Sequence, residues 1–274
     1  MLDRFNSNEM TLSRFISGIS RRIQDIPHLI AWNELNHTSM NNQLRLGKYQ
    51  NKHAGERCII IANGPSLAKM DLSPLKKEIT FGMNRIYLLF DKLDFFPNYY
   101  ACVNEFVIDE FSHDIRLLPM PKFLNWNKRL LFDITDENIH FVRQSISIKD
   151  FFGKDPRRPL ASGGTVTYSA LQIAYYMGFT EVILIGLDHS YKEKGTPNKL
   201  EVRSTEQDES HFHPNYFPKG VKWQLPDLLR SEVAYKLARD TYEADHRKII
   251  DATIDGKCQI FQKEDFNSIF PSIK

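Results

Sequence analysis

Residues 162–188 read SGGTVTYSALQIAYYMGFTEVILIGLD, and no other stretch of the chain leaves the backbone so little choice. After the Ser-Gly-Gly opening, Val166, Ala170, Ile173, Ala174 and Met177 recur at helical spacing. Gly178 then supplies a left-handed stop, which a residue without a Cβ adopts at no steric cost. EVILIGLD follows as a nearly unbroken apolar run ending in Asp188. A strand apolar on both of its faces must be covered on both, which places it inside a parallel sheet between helices. Helix, glycine stop and buried strand together are the building unit of an α/β domain.

The same signature recurs along the chain. CIIIA (58–62) runs into Asn-Gly-Pro-Ser, where Pro65 and Ser66 suit a helix entry into SLAKM. ITFGMN (79–84) and YYACVN (99–104) read as further strands, and both stop on asparagine. PKFLNW and NIHFVR are weaker strand candidates. A second long helix begins at Pro226, with Leu229, Val233, Leu237 and Tyr242 along one face. KIIDATIDGKCQIF then gives two short strand-like runs about an Asp-Gly turn. The pattern predicts a three-layer, Rossmann-like α/β domain with a mainly parallel sheet over residues 51–274.

Residues 1–50 differ from this core and are expected to form an N-terminal helical arm. Leu12, Phe15, Ile16, Ile19 and Ile23 lie at helical spacing, with Arg14, Arg21 and Arg22 on other faces. The spacing predicts a helix over 9–33 that buries Phe15, Ile16 and Ile19 against the core or a partner chain. Pro27 interrupts or ends it. A basic amphipathic helix can instead lie on an anionic membrane surface, although packing on its own domain or on a second subunit is the commoner use. NHTSMNNQ reads as a loop.

Composition narrows the class. The 274 residues are 42% hydrophobic and 26% charged, as in a soluble enzyme, and the formal net charge of +2 provides no large basic field for nucleic acid. No apolar run reaches the ~20 residues needed to span a bilayer, and the start lacks a secretion pattern, so a cytoplasmic protein is expected. Cys58, Cys102 and Cys258 are widely spaced, which fits buried reduced thiols better than disulfides or zinc ligands.

Candidate ligand-binding residues cluster at the predicted strand ends: Asn63-Gly64, Asn84, Asn104, Ser162-Gly163 and Asp188. In parallel sheets ligands bind beyond those carboxyl ends. A glycine turn entering a helix can present N–H groups to a phosphate, and asparagine can read a ribose hydroxyl or a base edge. Each residue taken alone is explained by turn formation. Five such places at successive strand ends point to a nucleotide or another phosphate ligand. GxxxxGK[ST] is absent and no GxGxxG follows a strand, so the nucleotide must be held differently.

Residues 189–217 show little periodicity and close on His211, Phe212, His213, Asn215, Tyr216 and Phe217. This is expected to be a lid loop. Extended backbone would point both imidazoles into the cleft as candidate general bases while Phe212 anchors the loop. His-x-His with Asp188 or Asp208 could also bind zinc, but no further ligand has recognisable spacing, and no metal is expected.

IIIANGPSL, FGMNR, ACVNE and ASGGTVTYSALQIAYYMGFTEVILIGLD resemble the bacterial sialyltransferases of glycosyltransferase family forty-two. They resemble at least equally the broader group containing archaeal 6-hydroxymethylpterin diphosphokinase and the motility accessory factors. HFHPNYFPKG and IIDATIDGKCQIF are similar to capsule- and O-antigen-associated members of that group. The resemblance spans about residues 56–265. In the sialyltransferases the corresponding residues hold CMP and its sugar, which implies that role for Asn63, Gly64, Ser66, Asn84, Asn104, Ser162 and Gly163. The family's Asp-x-Tyr becomes Asp188-His-Ser-Tyr191, one residue longer, and Tyr216 stands in for a second phosphate-binding tyrosine missing at Pro197. The family's catalytic histidine falls on His211 or His213, with His211 favoured because the Ser-His-aromatic match begins there. Its acceptor-binding arginine is replaced by Pro159, beside Arg158, which leaves sialic acid and the acceptor open.

The resemblance implies an inverting, metal-independent glycosyltransferase of surface-polysaccharide assembly, with a CMP-sugar or similar donor and a glycan acceptor. The alternatives are Mg²⁺-dependent pyrophosphate transfer from ATP, with Asp188 as a ligand, and a non-catalytic nucleotide-binding module. A homo-oligomer or peripheral membrane contact through the arm is compatible with each.

Overall fold

The computed structural model describes residues 12–33, 37–147, 149–193 and 195–271, without the side chains of residues 12–18 and 21. Eight strands form one sheet, in the order β10-β9-β6-β1-β2-β3-β4-β5. They are β1 (Arg57–Ile61), β2 (Thr80–Met83), β3 (Tyr99–Cys102), β4 (Lys122–Asn125), β5 (Ile139–Val142), β6 (Glu181–Ile185), β9 (Lys248–Asp251) and β10 (Gln262–Lys263). Every pairing in this sheet is parallel. A separate antiparallel pair, β7 (Leu200–Val202) and β8 (Lys222–Gln224), lies within and just after the predicted lid.

The fold is the three-layer, Rossmann-like α/β arrangement expected. From β1 the chain builds outward through β2 to β5, then returns to the other side of β1 for β6. The order therefore reverses between β1 and β6, which opens a crevice at their carboxyl ends. Ile59–Ile61 and Val182–Ile185 are fully buried, as strands covered on both faces must be. The helix α4 (Val166–Tyr176) packs across β1, β2 and β3 and against α5 (Leu228–Ala244).

Three expectations are corrected. The polar stretch NHTSMNNQ is not a loop but the start of α2 (His37–Gly47). Its Asn42 is buried and bonds Phe141 in both directions, Nδ2 to the carbonyl at 2.9 Å and Oδ1 from the N–H at 2.8 Å. That side chain gives the edge strand β5 the hydrogen bonds a further strand would have supplied. The second run of KIIDATIDGKCQIF is not paired about the Asp-Gly turn. Lys257 N–H instead donates to Asp188 O at 2.9 Å, carrying the chain across the end of β6 before β10 joins parallel to β9.

The third correction concerns α1 (Leu12–Asn33). The helix forms and continues through Pro27, but Ile19 is not buried against the core. Asp25 pairs with Arg143, Trp32 packs edge-on against Trp126 at 5.1 Å, and Trp126 Nε1 donates to His28 O at 3.0 Å. A buried ion pair left half-made would cost more than an exposed isoleucine, so these contacts set the helix rotation and Ile19 faces solvent. Residues 9–11 and the side chains of Phe15 and Ile16 lie outside what is described. Among the described residues no helix is long and apolar enough to cross a membrane, and all three cysteines are free and buried.

Candidate active site

The crevice between the β1 and β6 ends is lined by Asn63, Gly64, Asn84, Asn104, Asp188, Tyr191, His211 and Tyr216. Eight of the twelve residues singled out from sequence thus meet at one place. Ser66, Ser162, Gly163 and His213 do not line it.

The Asn-Gly-Pro-Ser turn has a different task from the one expected. Gly64 N–H donates to Gly186 O at 2.9 Å. Ser66 N–H and Oγ–H both donate to the Asp188 carboxylate, at 3.0 and 2.6 Å. The Gly64 and Ser66 donors of the turn are therefore spent inside the protein. Gly64 is required for close approach: a Cβ there would stand 1.8 Å from Asp188 Oδ2. The turn after β1 and the turn after β6 are locked together across the switch point. Burial raises the Asp188 carboxyl above its ordinary range, against the opposing pull of Ser66 and Lys69.

The asparagines divide. Asn104 Oδ1 caps the helix α3 (Glu105–Arg116), accepting from Phe106 N–H at 3.0 Å, which is the ordinary turn role. Asn63 Oδ1 and Asn84 Oδ1 are buried and have no partner among the described residues. Asn84 adopts a left-handed φ of 48°, which holds its side chain at the crevice. Buried carbonyl oxygens without donors are costly unless a ligand supplies hydroxyl or amino hydrogens. These two are the polar groups best placed to read one.

The long loop is pinned down over the crevice. Phe212 N–H donates to Asn63 O at 3.1 Å, and Arg85 reaches across to the carbonyls of Asn215 and Tyr216. Phe212, Tyr216 and Phe217 are buried beneath it, so Phe212 anchors the loop as expected. The loop is not extended at 211–213; it turns, with Asp208 N–H bonded to Pro214 O at 2.7 Å. The turn separates the two histidines. His213 points away from the crevice, its Nδ1 accepting from Asn215 N–H at 3.1 Å, and burial with nearby Lys92 and Arg85 lowers its pKa.

His211 remains inside. Its Nδ1 lies 2.9 Å from Asp208 Oδ2, and its ring stacks on Tyr216 at 4.0 Å with the planes 3° apart. Asp208 is buried, and burial alone would raise its carboxyl. The His211 contact, the Ser210 N–H bond and Arg203 outweigh that and hold it below its ordinary value. An ionised carboxylate on Nδ1 fixes the tautomer and leaves Nε2 as the basic nitrogen. Among the described residues no group of three or more His, Cys, Asp or Glu is placed to hold a metal.

Several lining residues carried no sequence signal. Gly164, Thr165 and Val166 face the crevice where Ser162 and Gly163 were expected. Thr165 is the N-cap of α4, so the helix's positive end points at the site. Tyr235 reaches Thr165 Oγ1 at 3.4 Å, and His189 is held by Glu232 at 3.1 Å. Trp223 enters from β8, a strand too short to announce itself.

Residues 33–194 match the model of a family described as 6-hydroxymethylpterin diphosphokinase MptE-like. Comparison with curated protein sequences gives no match. Among solved structures, the MAf glycosyltransferase from Magnetospirillum magneticum AMB-1 superposes with a TM-score of 0.51 at 13% identity. The superposition covers 96% of this chain and 43% of that one, so the chain spans less than half of that protein's length. At such low identity the likeness establishes the shared fold. The family match extends over more than half of the sequence and includes the turns after β1, β2, β3 and β6, and the chain therefore belongs to the 6-hydroxymethylpterin diphosphokinase MptE-like family.

Proposed function

We propose that the chain is a cytoplasmic, metal-independent glycosyltransferase of surface-polysaccharide assembly that uses a CMP-sugar or similar donor. The Asp208–His211 pair, set in the same crevice as the unpartnered Asn63 and Asn84 carbonyls, carries the reading. His211 Nε2 takes the proton of an acceptor hydroxyl as its oxygen attacks the anomeric carbon. The bond from that carbon to the phosphate oxygen breaks, its electron pair leaves with the nucleotide, and the single displacement inverts the centre. Asp208 stabilises the imidazolium formed. In this reading the positive end of α4 and the Tyr191 hydroxyl, both at the crevice, receive the phosphate. The fold shared with the MAf glycosyltransferase is consistent with this reading.

The family's description favours a second reading, pyrophosphate transfer from ATP with Mg²⁺. In that reading Asp188, which lines the crevice and keeps a lone pair on each oxygen beyond the bonds from Ser66, is the residue that would hold the ion. Consumption of a saturating CMP-sugar distinguishes the roles proposed. His211→Ala is expected to lower turnover about 10²–10⁴-fold with donor affinity nearly intact, whereas Asn63→Ala weakens donor binding first. Full turnover by the His211→Ala protein would overturn the reading.

A further inference from the structure

The isoleucines of α1 follow a rule that packing onto the domain does not explain. Ile19, Ile23, Ile26 and Ile30 are spaced 4-3-4 and fall along one line of the helix. Their exposures are 41%, 60%, 48% and 53%, and Leu29 beside them is 38% exposed. Asp25, His28 and Trp32, which hold α1 to the domain, lie on the opposite side of the helix. The stripe is therefore a separate surface.

Charge and area decide what covers it. The helix carries Arg14, Arg21 and Arg22 and a single acid, Asp25, whose charge is taken up by buried Arg143. The net charge left on α1 is positive, and exposed Arg22 flanks the stripe. Two identical positive helices would repel rather than complement each other. The five apolar side chains expose on the order of 500 Å², so a self-pair would bury roughly 1,000 Å², short of the ~1,200–2,000 Å² of stable interfaces. An anionic lipid surface asks for no such area: it accepts the stripe among its acyl chains and the arginine among its headgroups. We infer that α1 is an interfacial helix that docks this protein on anionic membranes with Ile19, Ile23, Ile26 and Ile30 inserted.

Flotation of the full chain with vesicles tests this, comparing pure phosphatidylcholine with a mixture containing one-third phosphatidylglycerol. The protein is expected to float with the anionic vesicles and not the neutral ones, and to be released as salt rises. The double variant Ile23→Asp/Ile26→Asp is expected to lose about tenfold or more of the bound fraction while its thermal unfolding stays unchanged, since both positions are exposed. Arg22→Glu, which leaves the stripe intact, is expected to weaken binding to the anionic vesicles. The inference is overturned if anionic vesicles fail to bind the chain, or if both variants bind as well as the parent. It is equally overturned if sedimentation shows a dimer that the double variant splits, because the stripe is then an interface between two copies.

Discussion

Because the Asp208 carboxylate sits 2.9 Å from His211 Nδ1, the nitrogen left to take a proton in the crevice is Nε2. Asp208→Asn keeps the shape but loses the charge that holds this tautomer and stabilises the imidazolium. Turnover is expected to fall about 10²–10⁴-fold, with donor affinity within about twofold of the parent. An equal loss in affinity would show that Asp208 only holds the loop in place. Sequence reasoning offers both histidines and favours His211 only through the Ser-His-aromatic match, because alternation assumes extended backbone and treats the two alike. The choice depends on a turn closed by Asp208 and Pro214, a contact between residues whose spacing carries no pattern. Asn63 and Asn84 were legible because each ends an apolar run. The internal use of Ser66 was not, since Asp188 lies 122 residues away.

The Ser-Gly-Gly turn shows how two neighbouring glycines differ. Gly163 has φ 55°, and a Cβ there would stand 2.4 Å from Tyr168 Cδ1 and 2.8 Å from Ala234 Cβ. Gly164 has φ 74° but no heavy atom nearer than 3.6 Å. Gly163→Ala is therefore expected to destabilise by about 2–4 kcal/mol, from left-handed strain and overpacking together. Gly164→Ala carries the backbone term of about 1–2 kcal/mol alone. Urea unfolding of the two variants checks this, and equal costs would show that the turn relaxes freely. Strands such as CIIIA were readable because burial on both faces leaves a continuous apolar run. The helix α2 was not, because its anchors are polar: Asn42 on β5 and Ser39 on Trp32 O at 2.6 Å. The α1 stripe was readable as a helix and misleading as a core contact, because an ion pair with a residue 118 positions away fixes its orientation.

Stability of the assembled molecule should carry an acid signature from His140. Its Nε2 bonds Tyr49 OH at 2.8 Å inside the core, and burial with nearby Arg45 and Lys122 lowers its pKa to about 3. The unfolded chain, with an ordinary histidine, binds this proton below about pH 6.5 while the fold does not. The stabilisation is thus fully present above that pH and is lost as pH falls toward 3, at up to ~1.4 kcal/mol per pH unit. The difference between the parent and His140→Gln, which cannot protonate, isolates this term from other titrations. A difference that stays constant between pH 7 and about 4 would contradict it.

What the whole structure is for rests on the crevice at the β1–β6 switch point, and ligand-induced thermal stabilisation probes it without knowledge of the acceptor. The screen sets CMP, UMP, GDP, ADP and ATP, with and without Mg²⁺, against the parent and the Asn63→Ala and Asn84→Ala variants. A cytidine or similar nucleotide at about 100 times its dissociation constant is expected to stabilise the parent by about 2.7 kcal/mol, a shift of several degrees. That shift should not need Mg²⁺ and should shrink in both variants. Stabilisation only by ATP with Mg²⁺, or equal stabilisation of the variants, would contradict the account.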